Sequence, residues 1–164
     1  MSNELKDKVL KAQSEGSIAG LYVLEGEAQE TLEENDLIAF YANILDLALE
    51  NLTNTLEAAR TMDISEVEDY ATLRALYEYA MEHYSAGKNR DASALFEILA
   101  GLTDDAMFSK AMKAHQLGAD AGITLDVFIA TIGDVDATHL AGNFYISHFK
   151  KEALAAMERS GEKS

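Results

Sequence analysis

The sequence predicts an all-α fold: an antiparallel helical bundle or short helical-repeat domain of seven or eight helices. Three observations carry that expectation. Proline is absent from all 164 residues, and proline is the residue that most often interrupts helices and stiffens loops. Apolar residues return every three or four positions through most of the chain, the period of a helix with one buried face. The breaks between periodic stretches contain Gly, Asn or Asp and run to about 2–6 residues, the connection length of antiparallel helical packing.

Asn3 to Glu15 reads as a short amphipathic helix (Leu5, Val9, Leu10) ended by Gly16. Ser17 can cap a second helix carrying Ile18, Leu21, Tyr22, Ala28 and Leu32, although Ile18 to Leu24 also fits a buried strand. Glu34-Asn35-Asp36 marks a turn and cap before the clearest helix, whose stripe is Leu37, Tyr41, Ile44, Leu45, Ala48, Leu52, Leu56 and Ala59. Asp63, or alternatively Ser65, opens the next, with Val67, Tyr70, Leu73, Tyr77, Ala80 and Tyr84 on one face and a stop at Ala86-Gly87. A further helix carries Ala92, Leu95, Phe96, Leu99 and Leu102. Thr103-Asp104-Asp105 caps another that bears Phe108, Ala111, Ala114 and Leu117 and ends at Gly118. The stretch from Gly122 to Gly133 is rich in β-branched residues and fits helix or strand; a short helix capped by Thr124 is favoured, because Ile18–Leu24 is the only plausible strand partner. Asp136 is expected to cap a long terminal helix with Leu140, Phe144, Tyr145, His148, Phe149 and Ala153. No Ser/Gly-rich linker divides the chain, so one helical domain over 1–164 is expected, with 1–16 and 160–164 peripheral or frayed.

Charge limits the function classes. Thirteen basic against 29 acidic residues give a net charge of −16, which repels nucleic-acid phosphates and anionic membrane surfaces. Residues 1–70 hold 16 acids and 4 bases, whereas 71–164 hold 13 and 9. That uneven field is either a solvated surface or a docking face for a basic partner. No apolar run approaches the ~18 residues of a membrane span. The first eight residues are polar and mixed in charge, unlike a secretory leader, and cysteine is absent. A cytoplasmic location is the resulting expectation.

Catalytic patterns do not emerge. Gly-x-Ser-x-Gly and the phosphate-binding Gly-x-x-x-x-Gly-Lys-Ser/Thr are missing, and Ala86-Gly87-Lys88 is a helix-ending turn. Ferritin-like metal bundles need Glu-x-x-His on two helices, and the chain contains none. Glu78, Glu82 and His83 on one helix, and Glu27, Glu30 and Glu34 on another, read as solvated carboxylates. His148, between Phe144 and Phe149, reads as a histidine at the edge of the core. No catalytic residue, metal ligand or cofactor is assigned.

Residues 76–104 carry one pattern above background: Leu76, Tyr79, Ala80, His83, Gly87, Ala92, Phe96, Leu99 and Asp104. This spacing resembles a tetratricopeptide repeat, and the stretch looks like the first repeat of the tetratricopeptide chaperones of type III secretion. Small Ala80 would let two helices approach, Gly87 would end the first, and Ala92 and Phe96 would pack the second against it. The likeness covers about 29 of 164 residues. It departs from the family at Leu76 (usually Trp), at Asp104 (usually Pro) and at Ile123, where a second repeat would need alanine. The resemblance implies a chaperone or scaffold that holds a partner segment in a groove. It places Arg74, Tyr77, Met81 and Tyr84 on the groove face of the first helix, although Tyr77 and Tyr84 also belong to the apolar stripe and fit a core role equally.

The sequence therefore favours a protein-binding module, a cytoplasmic chaperone or adaptor holding a basic or amphipathic segment of another protein, over an enzyme. A degenerate ferritin-like bundle with a carboxylate metal site and a structural homo-oligomer are the alternatives.

Overall fold

A computed structural model describes residues Asn3–Glu162, with side-chain burial defined over 4–160; the last two residues of the expected frayed tail lie outside the described residues. Ten α-helices and no strand occur among the described residues. The fold class is all-α. Backbone contacts divide the chain into two compact units, Met1–Leu76 and Tyr77–Ser164, and the division falls inside one continuous helix.

The first unit holds α1 (Asn3–Ser14), α2 (Ile18–Val23), α3 (Glu25–Thr31), α4 (Glu34–Glu57) and the start of α5 (Val67–Ser85). Ser17 caps α2, its Oγ accepting the Gly20 N–H at 2.9 Å, so Ile18–Val23 is helix and not strand. The single helix expected from Ser17 to Leu32 is interrupted at Leu24, giving α2 and α3. Glu34 and Asp36 form the first turn of α4 rather than a turn before it, where their charge complements the helix dipole. Phe40, Ile44 and Ala48 of α4 are buried and define its inward face, in a core shared with Leu5, Ile18 and Leu21.

The second unit contains the rest of α5, α6 (Asn89–Leu102), α7 (Ala106–Asp120), α8 (Leu125–Val127), which continues as one π turn over Phe128–Ile132, then α9 (Val135–Ala141) and α10 (Lys151–Glu162). Helices α6 and α7 run antiparallel: Ser109 Oγ bonds Ala100 O, Asn89 Nδ2 reaches Ala119 O, and Ser93 Oγ bonds Asp120 Oδ1, so positions rising along one helix fall along the other. Asp105 caps α7 by accepting the Phe108 N–H. That helix runs past Gly118 to Asp120, because Gly118 is a packing position: a Cβ there would lie 2.7 Å from Phe128 Cδ2. Thr124 caps α8 as expected, and the β-branched stretch is helical.

The long terminal helix does not form. Asp134, not Asp136, caps α9 through the Ala137 N–H, and Gly142, left-handed at φ 73°, ends it after Ala141. Residues 143–149 are instead laced to their surroundings. Thr138 Oγ1 accepts the N–H groups of Ser147 and His148, and Tyr77 Oη accepts that of Ile146. An isolated antiparallel bridge joins Gly133 to Phe149. With these amides already satisfied by outside acceptors, aromatic and β-branched residues of modest helix propensity have no need of a helical ladder. Splitting this helix and the 17–32 helix brings the expected eight to ten.

Candidate partner-binding groove

Arg74, Tyr77, Met81 and Tyr84 do not line one surface. Tyr77 is 4% exposed and Tyr84 1%, so of the two roles open to them the structure gives the core one. Tyr84 Oη donates to the Ile123 carbonyl at 2.7 Å, and burial pushes its pKa up to about 12. Tyr77 Oη lies 2.8 Å from His115 Nε2, and burial raises its pKa. Met81 is half-buried. Their spacing of three and four residues suits a groove-facing row and a core stripe equally, and the surrounding aromatic residues settle it as core: Phe96 and Phe128 lie 6.0 Å from the Tyr84 ring.

Arg74 faces a different environment in the first unit. Its Nη2 is 3.1 Å from Glu25 Oε1, and its guanidinium carbon stands 3.9 Å from the centroid of the Tyr22 ring. The other Glu25 oxygen accepts the Tyr41 hydroxyl at 2.7 Å. This fixes the planar guanidinium between a carboxylate and an aromatic face, a geometry that lysine could not reproduce.

Arg74 and Tyr22 close one end of a concavity of about 380 Å³ between α2, the 64–65 loop and the first turns of α5. The rest of its wall is mostly apolar, with Val23, Ile64, Val67 and Tyr70 its large residues and Ser65 its polar one. Val23 is 83% exposed, Val67 70% and Tyr70 40%, so the concavity is a shallow groove with large apolar side chains in water. The two helices forming it are locked together by Glu68, whose Oε1 accepts the Ser17 hydroxyl at 2.6 Å and Oε2 the Ile18 N–H at 3.0 Å. A carboxylate at the start of α2 suits the positive end of that helix. The loop is shaped by Asp63, whose Oδ1 accepts both the N–H and the hydroxyl of Ser65, bonds that lower its pKa.

Only Arg74 of the expected partner-binding residues lines this groove. Val67 and Tyr70 stand in the apolar stripe of α5 by spacing alone, which reads as core. The signal that separates them is the acidic run Asp63–Asp69, four acids in seven residues, which encloses Val67 and ends next to Tyr70.

The second unit carries a concavity of about 410 Å³ between α7 and α10, floored by Ala114, Leu117, Phe149 and Leu154 and edged by Lys110 and Lys113. Its charge is mixed, because Glu158 joins the rim. Among the described residues no group of three His, Asp or Glu side chains is arranged to hold a metal ion, and no helix is long and apolar enough to cross a membrane. Glu78 and Glu82 are exposed, and His83 is turned back to its own helix, Nδ1 lying 3.0 Å from Tyr79 O.

No protein-family model, no curated protein and no solved structure matches this chain.

Proposed function

We propose that this chain is a protein-binding module of the chaperone or adaptor kind, acting in the cytoplasm, that holds an amphipathic segment of another protein in the α2–α5 groove. The observation that carries the proposal is the exposure of Val23, Val67 and Tyr70 around one concavity. Single exposed apolar residues are ordinary, but several converging on a groove are the usual mark of a surface that is covered in use. A small-molecule pocket encloses most of its ligand; walls this exposed suit a larger partner that lies across them. A groove between two helices accepts an amphipathic helix through anchors at i, i+3, i+4 and i+7. Burying the apolar walls would contribute about 25 cal/mol per Å² of surface covered. The likeness of residues 76–104 to a chaperone repeat supports the same class, and its positions Ala80, Ala92 and Phe96 are fully buried. Because Tyr77 and Tyr84 are core, the proposed contact lies on α2 and the start of α5 rather than on their row.

Selection from a peptide library displayed on phage tests this. Enriched peptides are expected to carry large apolar residues at helical spacing and to lose binding to the Val23→Ser, Val67→Ser double variant while its circular dichroism is unchanged. No enrichment, or peptides indifferent to the double variant, would contradict the proposal. A wild-type dimer by light scattering that the double variant abolishes would assign the groove to a second copy instead.

A further inference from the structure

The segment that supplies one side of the groove is strongly acidic. Asp63, Glu66, Glu68 and Asp69 occupy the loop and first turn that supply the apolar residues Ile64 and Val67. Among the described residues none of these four carboxylates has a lysine or arginine partner. They flank the groove-lining residues in sequence without lining the groove themselves, and three of them hold local structure: Asp63 holds Ser65, Asp69 Oδ2 accepts the Asp63 N–H, and Glu68 accepts the Ile18 N–H at the start of α2. These are hydrogen bonds to neutral donors, so the negative charge persists. Glu66 is exposed. Arg74, the cation of the groove, is matched by Glu25 and adds no net charge. Exposed apolar side chains thus stand next to an acidic run with no lysine or arginine partner among the described residues.

We infer that the occupant of the α2–α5 groove is a basic amphipathic helix, with an apolar stripe that seats against Val23, Val67 and Tyr70 and flanking lysine or arginine that meets the Asp63–Asp69 carboxylates. This rests on the binding-module proposal and adds the chemistry of the partner. Unlike a general attraction to an acidic protein, it ties charge selection to one acidic segment. Flanking charges of this kind act chiefly on encounter and discrimination, so acidic helices with the same apolar stripe are rejected by like-charge repulsion.

The test uses two synthetic helical peptides with the same leucine stripe at i, i+3 and i+7, one flanked by lysine and the other by glutamate, titrated calorimetrically into the full chain. The lysine peptide is expected to bind about tenfold or more tighter at low ionic strength, with the advantage shrinking as salt rises toward about 0.5 M. Glu66→Lys should narrow the gap, since Glu66 has no structural bond to lose. The Val23→Ser, Val67→Ser variant should weaken the lysine peptide without altering charge. Equal binding of the two peptides, both lost in the double variant, would overturn the charge selection and leave the groove standing. Lysine-peptide binding that the double variant does not weaken would overturn the inference by placing the peptide on the general acidic surface. Failure of both peptides to bind would overturn the inference and the binding-module proposal together.

Discussion

At the scale of single residues the most constrained group is His115, which is fully buried and pressed by the rings of Phe96, Phe128 and Tyr77 at 4.9–5.3 Å. Its Nδ1 lies 2.6 Å from the Ala111 carbonyl, which can only accept, so Nδ1 carries the proton. Nε2 is then the acceptor for the Tyr77 hydroxyl, whose oxygen in turn accepts the Ile146 N–H. A second proton would place a charge in an apolar enclosure, and burial lowers the pKa from 6.5 to about 4. The sign of the linkage follows. The unfolded chain takes up the proton first as pH falls, so this residue's contribution is complete above about 6.5 and is lost progressively between there and about 4. The gap corresponds to about 3 kcal/mol. An NMR titration of the His115 ring in the folded protein should give a midpoint near 4, and a midpoint near the free value would show that the ring is hydrated.

At the scale of elements, helix ends decide where the chain turns. Helices α1, α4, α5 and α7 end alike, in a residue at positive φ whose N–H bonds three residues back while the next N–H bonds five back: Gly16 and Ser17, Ala59 and Arg60, Gly87 and Lys88, Gly122 and Ile123. Three use glycine, for which the left-handed region is open; Ala59, at φ 52°, is the exception. Ala59→Gly is therefore expected to stabilise the first unit by about 0.5–1 kcal/mol, read as a rise in the denaturation midpoint. A fall would mean that the lost constraint on the unfolded chain outweighs the relieved strain. The same ends explain what was legible. Gly16 and Gly87 mark their stops in the sequence, and Ser17, Asp105 and Thr124 mark their starts. Gly118 misleads, since it is there to admit the Phe128 ring rather than to end a helix. The break at Leu24 carries no proline or side-chain cap to announce it; Gly20 and Gly26 on either side weaken the helix without marking where it breaks. Segment 143–149 stays non-helical because of acceptors on Thr138 and Tyr77, partners that neither spacing nor propensity reveals.

At the scale of the whole molecule, charge tracks the division into units. Met1–Leu76 holds 16 acids against five bases, a net −11, and Tyr77–Ser164 holds 13 against eight, a net −5. The fall in acidity near residue 70 is the only sign of that boundary in the sequence, because a helix rather than a linker spans it. Function was less legible than fold. Helical spacing identifies which residues share a face, but whether that face meets the core or water depends on neighbours distant in sequence; hence Tyr77 and Tyr84 are core while Val67 and Tyr70, on the same helix, are exposed. The central claim is that the exposed apolar groove between α2 and α5 receives a partner helix. Amide shift mapping of the labelled full chain during titration with the lysine-flanked helical peptide tests it most directly. Perturbations concentrated at residues 19–23 and 64–74 are predicted, whereas perturbations centred on α7 and α10, or none at saturating peptide, would contradict it.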